Sequence, residues 1–433
     1  MTWPDALRAL RSPNYRLFFT GQSISLMGTW MTRIATAWLV YRVTNSAFLL
    51  GVVSFSGQIP AFFLAPIAGV WVDRWDRHRT LVWTQTLSML QSFALAALAL
   101  TGTIQIWSLV LLVLAQGMIN AIDMPTRQAF VIEMVVDRGL LGNAIALNSS
   151  MVNGARLFGP AIGGLVIAAV GEGYCFLIDG ISYIAVIISL LMMRFDTKAA
   201  RGHAKHVLHE LREGWNYILE SDAIRSILFF LALVSLIGPY TVLMPIVAGT
   251  ILHGSAHTLG FLMGASGVGA LISAITLALR RTVLGLGRMI AISAAMFGAG
   301  LILLGVSRTT WVSMLLMLVT GFGLMQQMAA SNTILQTIVA DHMRGRVMSF
   351  YTMAVLGITP IGSLLSGSFA ARFGAPVALM TGGACCVAGA AWFARKLPEL
   401  RRLISPIYRS LGILPEVAAG LQSTSALDVP PER

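Results

Sequence analysis

Three charged side chains stand inside long apolar runs of this sequence, where a charge is costly and marks a candidate functional position. Arg156 lies roughly 20 Å into its run at about 1.5 Å per helical residue, so it is expected to face a cavity. Arg33 lies beyond the middle of its run and either faces the same cavity or extends its guanidinium to the surface. Asp179 lies in the first turns of its run, as either a cavity group or a helix-start acid stabilised by the helix dipole.

Polar amides inside the same runs are uncharged candidates for binding a small molecule. We single out Gln22, Asn153 and Gln326. Amides also join helices by hydrogen bonds within a membrane, and their positions alone do not separate the two roles. The 22 methionines would suit a cavity that accepts bulky amphiphilic compounds, although methionine also faces lipid.

The composition predicts an integral membrane protein. Of the 433 residues, 56% are hydrophobic and 11% are charged, and the mean hydropathy is +0.77. The net charge of +12 comes from basic residues that stand singly or in pairs between apolar runs, which indicates membrane topology and no nucleic-acid partner. The three cysteines lie in apolar surroundings and indicate neither a disulfide framework nor a metal site.

The sequence lacks the patterns of an enzyme or of an ATP-driven pump. It contains no G-x-x-x-x-G-K-[ST] loop for nucleotide phosphates and no nucleophile with an evident base. We therefore expect no catalytic residue, no metal and no cofactor.

Twelve stretches are long enough to cross about 30 Å of hydrocarbon, which takes about 20 helical residues. They are residues 15–41, 47–72, 81–100, 107–124, 140–170, 176–193, 224–252, 259–279, 289–306, 312–331, 347–371 and 377–394. Arginines concentrate in alternate loops, on the side of both termini. By the positive-inside rule both termini are cytoplasmic, in the plasma membrane, which is the inner membrane of a bacterium. We expect a monomer surrounded by membrane lipid.

The apolar stretches form two groups of six, and the groups define the expected domains. Residues 1–195 form one bundle, 196–222 a cytoplasmic linker, 223–396 a second bundle and 397–433 a cytoplasmic tail. The linker has helical apolar spacing and predicts an amphipathic helix, and the tail predicts a short membrane-surface helix followed by disorder.

The two groups also resemble each other in sequence. "QAFVIEMVVDR" (residues 128–138) recurs as "QTIVADHMRGR" (336–346), "FGPAIGG" has its counterpart in "ITPIGSLLSG", and "LLGVVSFSGQ" (49–58) is echoed by "TLGFLMGASGVG" (258–269). Such internal repeats are typical of duplicated transporter folds. They predict two six-helix bundles that face a shared central cavity.

The stretch "GVWVDRWDRHR" (residues 69–79) gathers acids and arginines between the second and third spans. It resembles the signature of the major facilitator superfamily at this loop, and the matching residues are Gly69, Asp73, Arg74 and Arg77. Trp71, Asp76 and His78 depart from that signature but keep its charge pattern. The resemblance implies a cytoplasmic latch in which an arginine pairs with an acid at the end of span four. Asp123 is the expected acid, with Arg127 beside it.

The segment "GPAIGG" in span five resembles the antiporter motif of the same superfamily and comprises Gly159, Pro160, Gly163 and Gly164. Proline removes one backbone hydrogen bond and glycine removes bulk, so the helix can bend and pack closely. "GASGVGA" (264–270) in span eight offers a matching surface. The pair predicts either a seam that opens and closes between the bundles or ordinary close packing.

Over nearly the whole chain the sequence is similar to the branch of the superfamily that contains macrolide and enterobactin exporters. The resemblance implies rocker-switch export of drugs or siderophores in exchange for protons. No carboxylate near the middle of a span is evident, so an acid moves into the cavity, or coupling runs through Arg156, or the protein is a facilitator. A lysophospholipid flippase and a membrane sensor or scaffold that transports nothing are the alternatives.

Overall fold

The computed structural model is a bundle of long helices, and it describes residues 5–72, 75–135, 138–193, 207–280 and 282–410. These ranges contain no strand. After a short 3-10 helix, Asp5–Arg11, the first half forms six helices. They are α1 (Pro13–Thr44), α2 (Ala47–Val72), α3 (Arg77–Leu100), α4 (Ile106–Met134), α5 (Leu141–Val170) and α6 (Glu172–Leu191).

The second half begins after a linker helix and again contains six long helices. The linker helix is α7 (Val207–Glu220). The others are α8 (Asp222–Ile251), α9 (Ala256–Ala278), α10 (Leu286–Val306), α11 (Thr310–Ile338), α12 (Asp341–Phe373) and α13 (Ala375–Ser410).

Within the described ranges, eleven helices are long and apolar enough to cross a membrane. The twelfth long helix is α1, whose 32 residues include many polar side chains. It is held against α6 at very short range, since a Cβ at Gly21 would be 2.6 Å from the Ser189 hydroxyl and one at Gly28 would be 2.7 Å from Asp179 Oδ1. The predicted all-α membrane fold with twelve transmembrane helices is confirmed.

Two helices of the second half contain irregular turns that flank the middle of the bundle. In α8, Pro239 precedes a 3-10 turn at Tyr240–Leu243, and a π-helical segment follows at Val247–Ile251. In α12, a π-helical segment at Met353–Gly357 precedes Pro360. Interrupted helices are tolerated at membrane depth where the backbone is buried in protein or lines a cavity.

Helix α4 continues well beyond the end that the hydropathy predicts, which was residue 124. It passes through Pro125 and ends at Met134. Proline leaves a carbonyl of the preceding turn without its usual donor, and the Thr126 hydroxyl bonds back to the Ile122 carbonyl at 2.6 Å beside it. The extension carries Glu133 to the start of α3.

The last helix, α13, also extends past its predicted boundary at residue 396, through Pro398 and Pro406 to Ser410. Leu400, Ile404 and Tyr408 are buried at intervals of four residues, so one apolar stripe continues along the bundle. The first part of the expected tail is therefore packed helix, and residues 411–433 lie outside the described residues.

The linker helix α7 is docked on the beginning of α12. Glu213 forms an ion pair with Arg346 at 2.6 Å, and the rings of Trp215 and Phe350 lie 5.8 Å apart. The sequence predicts an amphipathic helix here, and the structure shows that the Trp215 side chain of this helix packs against the second half.

The two halves meet most closely at one end of the bundle. We call the end opposite Pro13 the distal end. There α2 crosses α12, where a Cβ at Gly51 would be 2.9 Å from the Ser363 carbonyl, and α5 crosses α9 at Gly164 and Gly260. Gly51 and Gly260 occupy equivalent positions in the repeated stretches at residues 49–58 and 258–269. The internal repeat thus supplies one glycine to each crossing.

Candidate functional site

A cavity of about 420 Å³ lies between the halves, within the size range of small-molecule sites. All six helices of the first half line it, together with α8, α9 and α12 of the second. Among the described residues of its wall, the acids and bases are Arg33, Arg156 and Asp179, all from the first half. The second half contributes neutral groups, which include Tyr240 of the irregular turn and Ser266 bonded to it at 2.7 Å.

The two cavity arginines meet at one tryptophan of α1. Arg33 Cζ lies 4.6 Å from the centre of the Trp30 ring, and Arg156 Cζ lies 6.0 Å from it. These are cation–π distances. Gly159 leaves room for the base of this side chain, since a Cβ at that position would collide with the Trp30 Cβ. The structure places Arg156 in the cavity, as its depth predicts, and of the two alternatives for Arg33 it shows the cavity one.

Asp179 is a buried carboxylate of the cavity wall, 2% exposed, two turns inside α6. Its Oδ2 accepts a hydrogen bond from the Ser92 hydroxyl at 3.0 Å, and its Oδ1 has no hydrogen-bond partner. The interpretation as a helix-start acid is wrong, because the first turn of α6 holds Glu172 instead. The cavity therefore contains a carboxylate, although the sequence shows no acid near the middle of a span.

Amides of the first half form the polar side of the cavity. Gln58, Gln91, Gln116 and Asn120 all line it. Gln116 donates to the Ser88 hydroxyl at 3.1 Å and to Asn120 Oδ1 at 3.2 Å, while its own Oε1 is buried without a partner. Sequence reasoning missed Gln91, although an amide between Ser88 and Ser92 in an apolar span was the available signal.

The three amides that the sequence analysis singled out lie elsewhere. Gln22 is buried about 12 Å along α1 from Trp30, toward the end of the bundle where Pro13 lies. Asn153 donates to the Ser149 carbonyl of its own helix at 2.9 Å. Gln326 accepts from Ser273 at 2.6 Å and so joins α11 to α9. None of the three lines the cavity, and Gln326 holds helices together.

The loop between α2 and α3 contributes an interhelical ion pair that differs from the expected one. Arg77, the first residue of α3, pairs with Glu133 near the end of α4. The expected partner was Asp123, and this is a correction: the extra turns of α4 place Glu133 at its end. Asp73 and Arg74 lie outside the described residues, and only the helical backbone is described for Gly69.

Asp123 is instead a buried junction between α3 and α4. Its Oδ1 accepts from the Thr84 hydroxyl at 2.8 Å and from Gln85 Nε2 at 2.7 Å, and its Oδ2 lies 2.9 Å from Arg127 Nη2. Arg127 is therefore the ion-pair partner of Asp123, one turn away on the same helix. A carboxylate can accept about four hydrogen bonds, and the Asp123 carboxylate has three partners.

The span-five motif contacts two different neighbours. Gly159 and Gly163 pack against α1, where a Cβ at Gly163 would be 3.0 Å from the Met31 Cα. Gly164 packs against α9 in the other half, where a Cβ would be 2.7 Å from the Ala256 carbonyl and 2.9 Å from the Gly260 Cα. Pro160 lines the cavity. Only part of the motif therefore belongs to the crossing between halves.

The expected partner surface at residues 264–270 is likewise divided. A Cβ at Gly267 would be 2.9 Å from the Leu157 Cα of α5, whereas Gly269 faces the backbone of α11 at Leu318. The seam between α5 and α9 thus begins at Gly260, earlier than the sequence predicts, and continues to Gly267.

An ion pair between an exposed arginine and a buried acid at the distal end was missed by the sequence analysis. Arg42, at the end of α1, binds Glu172, at the start of α6, through Nε to Oε1 at 2.8 Å and Nη2 to Oε2 at 3.2 Å. The available signal was one arginine in a loop on the distal side, where arginines are rare. This two-bonded pair clamps α1 to α6 within the first half.

The chain matches known proteins over most of its length. The family described as transmembrane secretion effector matches residues 5–410. The staphyloferrin A transporter of Staphylococcus aureus is 28% identical, over 83% of this chain and 90% of its own. The multidrug efflux pump Tap of Mycolicibacterium fortuitum is 26% identical, over 79% and 86%. Macrolide efflux protein A of Streptococcus pyogenes is 21% identical, over 83% and 91%.

Solved structures share the fold at low sequence identity. The nucleoside transporter NupG superposes with a TM-score of 0.71 at 12% identity, covering 89% of this chain and 98% of its own. A bacterial homologue of the iron transporter ferroportin, in an inward-facing state, superposes with a TM-score of 0.64 at 16% identity, over 88% and 99%. The chain is thus a multi-pass membrane transporter, not an enzyme, and it belongs to the transmembrane secretion effector family of the major facilitator superfamily.

Proposed function

We propose that this transporter exports a hydrophobic or amphiphilic small molecule, a siderophore or a drug, through the central cavity. The observation that carries the proposal is a cavity whose wall comes from both halves while the halves close over it at the distal end. The names of the relatives support the substrate class, since they are transporters of staphyloferrin A, of several drugs and of macrolides.

Transport by a rocker switch requires that the halves separate at one end as they close at the other. Between described residues, one side-chain hydrogen bond joins the halves, and it links the hydroxyls of Tyr41 and Thr250 at 2.8 Å. Other close contacts between the halves are glycines against backbone or, as at Gly357 and Phe62, against an aromatic ring, which give close packing but few directional bonds. Such an interface can separate at low cost, and it supports two moving units, residues 1–195 and 223–396.

The arginine distribution supports a topology with both termini in the cytoplasm. The distal end then faces outward, and the present structure is the conformation that is closed to the outside. A substrate enters the cavity from the cytoplasm or the inner leaflet in this state and leaves after the distal crossings open.

Asp179 is the group that we assign to proton coupling. It is the carboxylate of the cavity wall in the described part of the chain, and an ionised carboxylate buried without a cation is costly. Its Oδ1 is buried in the wall without a hydrogen-bond partner, so a movement of the wall that admits water would let it exchange a proton. Proton uptake at Asp179 would alternate with substrate binding at the same wall.

The test uses proteoliposomes with a pH-sensitive dye inside, to which a macrolide or staphyloferrin A is added. Wild type is expected to move protons against the substrate, and Asp179→Asn is expected to exchange substrate without moving protons. Asp222→Asn is the matched control, because Asp222 is a half-exposed acid whose ion-pair partner among the described residues is Arg225. Substrate-driven proton flux that persists in Asp179→Asn would refute the coupling role, and no transport of any compound by wild type would refute export.

A further inference from the structure

The cavity holds two cations whose hydrogen-bonding edges are unused. Neither Arg33 nor Arg156 forms an ion pair or donates a hydrogen bond to any residue in the ranges described, and both contact the face of Trp30. A guanidinium that stacks through its face keeps its N–H groups available in the plane. Both side chains are accessible to solvent, Arg33 more than Arg156, so a ligand in the cavity can reach them.

The acid of the cavity does not neutralise these cations. Asp179 binds Ser92, and its second oxygen has no partner. Arg33 Cζ lies 4.6 Å from the centre of the Trp30 ring and Arg156 Cζ lies 6.0 Å from it, so the two cations are neighbours in the cavity. Two like charges that share one cavity at membrane depth repel each other, and an anion that contacts both removes that repulsion.

We propose that the substrate is an anion with at least two carboxylate groups, which Arg33 and Arg156 bind beside Trp30. This inference rests on the proposed function and specifies the chemistry of its substrate. A planar guanidinium matches a carboxylate in a two-bonded geometry, and two of them select a polycarboxylate over a monocarboxylate. A cationic compound meets the same two charges as a repulsive element.

The neutral wall agrees with this chemistry. Gln116 lines the cavity and has a buried carbonyl oxygen without a donor, so a small rotation of its amide would let a hydroxyl or amide N–H of the ligand satisfy it. The membrane potential also favours this direction of transport, since the interior of a cell is negative and an anion leaves it downhill. The cavity thus suits a hydroxylated or amide-bearing polycarboxylate.

The test is a binding series on the purified full chain by isothermal titration calorimetry. The probes are succinate, citrate, butanetetracarboxylate and the organic cation tetraphenylphosphonium. We expect affinity to rise with the number of carboxylates and tetraphenylphosphonium to bind at least tenfold more weakly than butanetetracarboxylate. In Arg156→Gln and Arg33→Gln, butanetetracarboxylate should bind at least tenfold more weakly, and Arg156→Lys should retain part of the affinity.

Arg308→Gln is the matched control, because Arg308 lies in a distal loop and, among the described residues, donates hydrogen bonds to nearby backbone carbonyls. It should bind as wild type does. Tighter binding of the cation than of every carboxylate by wild type overturns the inference, whether or not the variants fold. Equal carboxylate affinity in wild type and in folded Arg156→Gln also overturns it. In both cases export of a macrolide by wild type in liposomes would show that the proposed function stands without the substrate class.

Discussion

The contact between Gly164 and the start of α9 offers a direct test of how the distal end opens. We predict that Gly164→Ala shifts the protein toward a conformation that is open at this end. The added Cβ would lie 2.7 Å from the Ala256 carbonyl oxygen and 2.9 Å from the Gly260 Cα, and both atoms belong to backbone that cannot rotate away. Only a displacement of α9 from α5 relieves the clash.

The size of the effect follows from overpacking. Forcing one methyl group into a close-packed contact costs about 1–3 kcal/mol. Because the crossing separates when the distal end opens, this cost applies to the closed conformation alone. The ratio of closed to open molecules should then fall by about 5- to 150-fold, at about 1.4 kcal/mol per tenfold change. The gain in helix propensity from glycine to alanine is common to both conformations and cancels.

The assay is a distance measurement between spin labels on cysteines at Val43 and His257, in a cysteine-free background in nanodiscs. Both positions are exposed near the distal end, one on each half. Gly154→Ala is the matched control, since it lies on the same helix and a Cβ there meets nothing within 4 Å. Gly164→Ala should gain a longer distance, and Gly154→Ala should match wild type. An unchanged distribution in folded Gly164→Ala, or the same shift in both variants, would refute the reasoning.

Two further predictions concern ion pairs. Glu172→Gln should lower the free energy of unfolding by about 1–2 kcal/mol in a thermal-denaturation assay, because it weakens a two-bonded pair in which Glu172 is buried and Arg42 is 58% exposed. Asp222→Asn, at an exposed pair, should lower it by at most about 0.5 kcal/mol. Equal losses in the two variants would contradict this. Arg77→Glu should lower the transport rate about tenfold, because the new acid repels Glu133. Adding Glu133→Arg should restore part of the rate. Full transport activity in the single variant would show that the ion pair is dispensable.

The helices themselves could be predicted from the sequence, because each must bury about 20 apolar residues in lipid and this demand is local in the chain. Their ends were less accurate. The end of α4 at Met134 and the extension of α13 to Ser410 depend on apolar stripes that pack on other helices, and hydropathy within one window does not register such packing. Both places contain prolines, which disfavour a continuing helix unless other contacts compensate.

The candidate site was only partly predictable. Arg156 was singled out by its depth in a span, and the structure places it in the cavity. Gln22, Asn153 and Gln326 had the same kind of signal, yet none lines the cavity. A helix presents a different face every residue, so depth alone does not say whether a side chain points to the cavity, to another helix or to lipid.

The sequence by itself determined that the chain is a twelve-helix membrane protein built from two related halves, because hydropathy and repeats are properties of the chain alone. Only the tertiary structure decided which charges share one space. Arg33 and Arg156 are distant in sequence and meet on Trp30, and Arg77 pairs with Glu133 in preference to Asp123. These partners depend on the rotation and crossing of packed helices, which arise from contacts between residues far apart in the chain.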